Sequence, residues 1–284
     1  MHLLGKLGCA GFISATLLHL LLGWTLLSNP TDDHLVILTQ LIGISLITLL
    51  VCVPIGWRIF NTTNFLVIWR AQLLGVLLAL GLSISLYDVD EYFSLGWYIL
   101  VMSFFHFSEF VVTSIIRPQN LSTDSFLLNH SKAYGLAAVV SWLEYLLELW
   151  CFPIMKRWYW PSFVGLVLCI SGEAVRKTAM LTAGSNFDHL IRTHREDQHR
   201  LVTSGIYSLC RHPSYVGWFY WSIGTQFVLC NPLCTVAYTL ASWRFFHERV
   251  HEEEMTLLHF FGEQYRAYQL RVPTGLPFIR GHTY

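Results

Sequence analysis

The feature that most constrains this chain is its succession of long apolar stretches. Crossing a bilayer takes about 20 mainly apolar residues, and about eight candidates recur, at 7–27, 35–57, 65–86, 93–116, 134–152, 162–183, 215–230 and 233–246. Charged residues make up 13% of the chain and hydrophobic ones 54%, whereas soluble domains carry roughly 25% charged residues. Inside lipid each backbone polar group must be satisfied within the segment, which selects helices. The expectation is an all-α polytopic membrane protein of about eight transmembrane helices, the last two forming a short hairpin that turns at Asn231–Pro232. The first stretch is longer than a signal-peptide core and no small-residue cleavage site closes it, so it reads as a retained span.

Net charge is zero and arginines are interspersed with acids, which gives no basis for nucleic-acid binding. The seven cysteines lie mostly inside apolar stretches and form no Cys-x-x-Cys pair. They read as small buried side chains, not as a disulfide framework or a thiolate metal site. Positive residues favour cytosolic loops. Lys6, Arg58, Arg117, Lys132, Arg192, Arg195 and Arg200 fall on one side of an alternating topology, and Asp32, Asp33, Asp88, Asp90 and Glu91 on the other. Both termini are therefore expected in the cytosol, and the sequons at Asn61, Asn120 and Asn129, on the same side, are expected to carry no glycan. Lys156 and Arg157 disagree, because they fall on the side that alternation makes lumenal.

Chemistry is distributed unevenly. Residues 1–160 read as a transmembrane scaffold with a lipid-access region, and 161–284 as the region carrying a polar site, since arginine, histidine, glutamate and tyrosine gather there. Ionisable residues within spans are candidate functional groups: Arg70, Glu109, Glu144, Glu148, Glu173 and Arg176. Either they pair with groups from other spans or they serve a site. The run 203–217 sets polar groups directly against an apolar stretch, and a second polar run, 244–254, follows the hairpin. A hairpin returns both runs to one side of the bilayer.

The second run contains His247-Glu248-Arg249-Val250-His251, a literal His-Glu-x-x-His match that on a helix could hold zinc. Residues two apart on a helix point about 200° apart, so His247 and His251 face away from Arg249 and Glu253, and only one of these pairs can face a cavity. No third metal ligand is identifiable, and zinc leaves the first run unexplained. Arg249 and Glu253 would offer a fork for a carboxylate and, one turn on, an acceptor for an ammonium or hydroxyl. That set suits an anionic substrate and a zwitterionic cofactor. No Gly-x-Gly occurs anywhere, which argues against a Rossmann domain. A cofactor would have to bind through the loop from His199 onward and the hairpin. Pro213 holds His212 extended, breaking the helix and freeing backbone donors.

The segments Leu201-Val-Thr-Ser-Gly-Ile-Tyr207, Arg211-His-Pro-Ser-Tyr-Val-Gly217, Trp243-Arg-Phe-Phe246, Glu252-Glu-Glu254, Phe261-Gly262, Tyr265 and Val272-Pro-Thr-Gly-Leu-Pro-Phe278 together resemble the isoprenylcysteine carboxyl methyltransferase family, in its animal form. Related sterol reductases share the Arg-His-Pro-x-Tyr-x-Gly segment; its combination with the Glu-Glu run and the Val-Pro-Thr-Gly-Leu-Pro-Phe end is specific. The resemblance implies methylation of the carboxylate of prenylated cysteine, with S-adenosylmethionine as donor, in the endoplasmic reticulum membrane. Its implied substrates are prenylated CaaX proteins such as small GTPases, with no metal. It assigns the cofactor to Arg192, His199, Arg200, Leu201, Val202, Tyr207, His212, Pro213, Ser214, Tyr215 and Glu253, and the substrate carboxylate to Arg249. The family usually has glutamine at 192 and threonine at 200; this chain has arginine at both.

A cysteine carboxylate is already ionised at pH 7, so methyl transfer needs no general base. The expected entrances are two: cytosolic for a polar cofactor, past residues 188–200, and lateral for a prenyl chain. The rival functions are an NADPH-dependent sterol or steroid reductase, a zinc protease, and a non-catalytic lipid-binding scaffold.

Overall fold

The computed structural model describes residues 3–26, 34–59, 62–87, 92–128, 131–195 and 199–282. Asp32, Asp33, Asp88, Asp90, Glu91, Asn61 and Asn129 lie outside the described residues, as does the side chain of Arg58. Asn120 is exposed in a short 3-10 turn, Pro118–Asn120. The helices are α1 (Leu3–Leu26), α2 (His34–Ile59), α3 (Thr62–Leu86), α4 (Phe93–Ile116), α5 (Lys132–Cys151), α6 (Pro153–Lys156), α7 (Tyr159–Ala183), α8 (Pro213–Val228), α9 (Pro232–Phe261) and α10 (Glu263–Gln269). There is no strand among the described residues.

All eight apolar stretches are helical. Leu3–Thr25, Asn64–Leu86 and Phe93–Ile116 are long and apolar enough to cross a membrane unaided. α8 has only 16 residues, and α5, α7 and α9 carry ionisable side chains, so length and composition do not by themselves assign each a full crossing. α9 runs 30 residues, straight through the expected end of its span at 246 and into the charged run.

The chain divides into two compact units, Met1–Leu166 with Thr225–Cys234, and Val167–Gly224 with Thr235–Tyr284. The first is built mainly of helices. Glycines set close helix contacts there: a methyl group on Gly75 of α3 would stand 2.4 Å from the Phe12 carbonyl of α1, and one on Gly81 2.6 Å from the Gly96 carbonyl of α4. Phe110 stacks on Phe126 at 4.2 Å, and Arg70 donates to the Thr123 carbonyl at 2.7 Å. α5 turns Leu143, Leu146, Leu147 and Trp150 outward and Ser141, Glu144 and Tyr145 inward. An apolar exterior over a polar interior is the arrangement a helix needs against lipid.

Those inward groups explain Glu144, Glu148 and the discordant Lys156. Lys156 is buried and donates to Glu148 Oε2 at 2.6 Å, to the Leu229 and Cys230 carbonyls at 2.9 and 3.0 Å, and to Asn231 Oδ1 at 3.0 Å. Glu144 accepts from Leu233 N and Cys234 N, both at 2.7 Å. A cation therefore caps the carbonyl end of α8 and an anion the amide end of α9, each matching the local helix dipole. The pair fixes the turn of the hairpin. Lys156 is an internal cap, so it carries no weight as a loop charge in the positive-inside argument.

In the second unit, α7 and α8 meet at two glycines. A methyl on Gly217 would lie 2.4 Å from the Gly172 carbonyl, and one on Gly172 would lie 2.5 Å from the Gly217 carbonyl. This close approach brings buried Arg176 against α8, where it donates to Ser214 Oγ at 2.7 Å and lies 4.6 Å from the Trp218 ring.

Candidate functional site

The site begins with Pro213. Its fixed φ suits the first position of a helix and its missing amide costs nothing there, so α8 starts at that residue. The backbone donors just before it are not left free, contrary to the expectation from sequence. Arg211 N donates to the Pro273 carbonyl at 2.8 Å and His212 N to the Thr274 carbonyl at 3.1 Å. The Arg-His-Pro and Val-Pro-Thr segments are thus joined main chain to main chain.

Beneath that junction lies Glu254, which is completely buried. Its Oε1 accepts from Arg211 Nε at 2.7 Å, His212 Nε2 at 3.0 Å and the Tyr265 hydroxyl at 3.0 Å. Its Oε2 accepts from Gln269 Nε2 at 3.0 Å and His282 N at 2.8 Å. Arg211 also donates to the carbonyls of Gln269, Val272 and Arg280. Burial disfavours the Glu254 carboxylate, but the bonds from His212 and Arg211 outweigh it and hold the group down at about 2. Burial likewise opposes charge on His212, yet Glu253 and Glu254 lift it to about 9. His212 is therefore an imidazolium at neutral pH.

Glu253 points the other way, into an open pocket that it lines together with Tyr207, Ser214, Leu257 and Phe261. His212 Nδ1 lies 3.6 Å from Glu253 Oε2, too far for a good hydrogen bond, and that buried oxygen has no hydrogen-bond partner. The nearby His212, Tyr215 and Arg249 keep Glu253 ionised despite its burial. Arg249, one turn earlier on α9, donates from Nε to the Tyr215 hydroxyl at 3.0 Å and from Nη2 to the His189 carbonyl at 2.6 Å. Tyr215 is stacked between His212 at 5.5 Å and Phe246 at 5.2 Å.

Of the cofactor residues assigned by resemblance, His199, Arg200, Leu201, Val202, Tyr207, His212, Pro213, Ser214, Tyr215 and Glu253 line this one pocket. Arg200 is tied there by its backbone, its amide donating to Asn186 Oδ1 at 2.8 Å. Arg192 is not on the wall: it pairs with Asp188 at 3.4 Å and donates to the Ser185 carbonyl at 3.2 Å. Arg249 adjoins the wall through Tyr215.

Sequence reasoning missed several wall residues, including Asn186, Phe187, Arg211, Leu257, Phe261 and Tyr268. Leu257 and Phe261 follow Glu253 at steps of four, so α9 periodicity could have located them. Nothing local marks Asn186 or Phe187. The zinc-like pattern lies elsewhere on α9. His247 is exposed and stacks on Trp243 at 5.3 Å, Glu248 accepts from Arg244 at 3.0 Å, and His251 lies 3.4 Å from His282. Among the described residues no three His, Cys, Asp or Glu side chains gather as a metal site.

Described residues that form helices and no strand, with apolar side chains turned outward, define a multi-pass membrane protein. The model of the isoprenylcysteine carboxyl methyltransferase (ICMT) family matches residues 164–259. A Xenopus laevis protein-S-isoprenylcysteine O-methyltransferase is 57% identical over 212 residues, covering 75% of this chain and 73% of its own. A Tribolium castaneum protein of the same name is 53% identical, covering 78% and 79%. A solved structure of a eukaryotic intramembrane Ras methyltransferase, an isoprenylcysteine carboxyl methyltransferase, is 44% identical and superposes with a TM-score of 0.95 over all of both chains. This chain belongs to the isoprenylcysteine carboxyl methyltransferase family.

Proposed function

We propose that the chain methylates the C-terminal carboxylate of prenylated cysteine, farnesyl or geranylgeranyl, on CaaX-processed proteins such as small GTPases, using S-adenosylmethionine in the endoplasmic reticulum membrane with both termini cytosolic. The observation that carries this reading is the placement of Glu253 and Arg249 one turn apart, the first in the pocket and the second against its wall.

S-adenosylmethionine, when bound, supplies an electrophilic methyl group on a sulfonium. On the pocket wall, the unpartnered Glu253 Oε2 is an acceptor suited to its ammonium. Charged His212 on the same wall suits its carboxylate. Arg249 has five N–H donors, and two bonds, to Tyr215 and His189, fix the plane of its guanidinium. The donors left over would orient the substrate carboxylate without taking a proton from it, because that carboxylate is already ionised. Joining an anion to a sulfonium cancels both charges, so a dry site removes hydration that favours reactants over the transition state.

The test is transfer of labelled methyl from S-adenosylmethionine to a minimal farnesylated cysteine by the purified full chain, with and without a zinc chelator. A base-labile methyl ester formed in both is the expected result. No transfer by a preparation with intact thermal unfolding would reject the proposal.

A further inference from the structure

The C-terminal segment around residues 273–280 displays a side chain that methyl transfer does not use. Thr274, Leu276 and Ile279 turn inward and are buried, with the Thr274 hydroxyl bonded to the Ile279 carbonyl. Phe278 between them is 93% exposed and has φ +60°, a conformation uncommon for a non-glycine residue. A fold that adopts it in order to push a phenylalanine outward is placing that ring somewhere apolar.

α9 locates the ring relative to lipid. Its exposed apolar side chains Leu233, Val236 and Leu240 form one stripe that leads at helical spacing to Trp243. The next residue, Arg244, is 81% exposed at its side chain and paired with exposed Glu248. The change from lipid-facing to water-facing therefore falls at Trp243 and Arg244, and an interfacial tryptophan is usual there. Trp243 Nε1 donates to the Pro277 carbonyl at 2.9 Å, which fixes Phe278 at that same level.

Arginine outnumbers acid in the sequence around the ring, and an exposed pair there, Arg266 with Glu263 at 3.7 Å, is loose enough to open. From 255 to 284 there are three arginines, Arg266, Arg271 and Arg280, and a single acid, Glu263. Arg280 lies between two hollows, one lined by Tyr220, Leu276 and Pro277, the other by Arg266, Leu270 and His282. Its carbonyl accepts from Arg211, while the residue itself is exposed. Leu270 beside it is 84% exposed.

We infer that this segment is a docking site for anionic phospholipid, in which Phe278 inserts at the bilayer boundary and Arg280 with Arg266 takes the headgroup phosphate. The inference depends on the chain spanning a membrane and not on the identity of the methyl donor or acceptor. Basic side chains beside an aromatic anchor bind acidic leaflets through the surface potential, and the excess of arginine fixes the sign of the partner.

The experiment is hydrogen–deuterium exchange over residues 273–282 in the full chain, reconstituted in nanodiscs of phosphatidylcholine alone or with increasing phosphatidylserine. Exchange should slow as phosphatidylserine rises. Arg280→Gln should raise the phosphatidylserine fraction needed for half-maximal protection roughly five-fold, the effect of one charge at an acidic surface. Arg266→Gln with Arg280→Gln should abolish the protection, and Phe278→Ser should weaken it with the arginines intact. Both arginine side chains are exposed, so unchanged thermal unfolding of the variants separates lost docking from misfolding. Equal exchange in both lipids, full protection in the double variant, or equal protection by inorganic phosphate in phosphatidylcholine discs would overturn the inference. So would protection that appears only when prenylated protein is added.

Discussion

Replacing Glu254 by glutamine tests whether the site is built on a buried anion. Every one of its five partners is a donor: Arg211, His212 and Tyr265 at one oxygen, Gln269 and His282 N at the other. Glutamine keeps the shape but offers one oxygen and one NH₂, so in either orientation two or three donors face another donor. Arg211 would also lose its counterion inside the protein, where leaving one member of a buried pair unpaired costs about 3–5 kcal/mol. In a chain of this size that corresponds to a fall of roughly 10 °C in the unfolding midpoint. The pH dependence adds a second signature. His212 is raised to about 9 from an ordinary 6.5, so its contribution is complete below about 6.5 and is lost as pH climbs through 9. Glu254 is held at about 2 against an ordinary 4.5, so its contribution holds above about 4.5 and is lost as pH falls toward 2. The two shifts share the His212–Glu254 pair, which counts once; Glu253 adds to the first and Arg211 to the second. The assay is thermal unfolding of the detergent-solubilised full chain at a fixed scan rate, from acid to mildly alkaline pH. The parent should be most stable between about pH 4.5 and 6.5 and lose stability on the alkaline side. The variant should be less stable throughout and show a smaller alkaline decline, since only Glu253 at 3.6 Å still supports the imidazolium. A variant as stable as the parent, or one with the parent's full alkaline decline, would refute the reasoning.

Arg249→Lys should cut kcat/KM for the prenylated substrate by about ten- to a hundred-fold, the worth of a charged hydrogen bond, because an ammonium cannot reproduce the planar fork. Calorimetry should find cofactor binding retained, and full activity would remove Arg249 from the substrate role. Glu253→Gln should weaken S-adenosylmethionine binding by about ten-fold or more, with kcat largely recovered at saturating cofactor; unaltered affinity would refute its assignment. Gly217→Ala puts a methyl 2.4 Å from the Gly172 carbonyl and 2.8 Å from Arg176 Cβ. The crossing must open, at a cost of about 1–3 kcal/mol, visible as a lowered unfolding midpoint. A neutral outcome would mean that the two helices are not held at that contact.

What the sequence made legible was periodic or concentrated. Apolar stretches place the helices, since a run of hydrophobic residues dictates both lipid burial and internal backbone bonding. The spacing of four between Arg249 and Glu253 put both on one face of α9, where Glu253 lines the pocket and Arg249 adjoins it through Tyr215, while His247 and His251 stand elsewhere on the same helix. What was not legible depended on partners distant in sequence. Glu144 and Lys156 look like misplaced charges until the two ends of the hairpin turn meet them. Arg176 has no local reason to be buried, and gains one where Gly172 and Gly217 let α8 come close enough for Ser214 to accept from it. Glu252, Glu253 and Glu254 are identical in type and adjacent, so no composition argument separates them. The 100° step of a helix does: Glu252 is exposed, Glu253 faces the pocket, and Glu254 is sealed beneath it. One of two neighbouring carboxylates thus holds the C-terminal segment against the Arg-His-Pro turn, and the other is left with an oxygen to offer a ligand. On the proposed function, the binding residue is the one whose hydrogen bonds the fold has not used up.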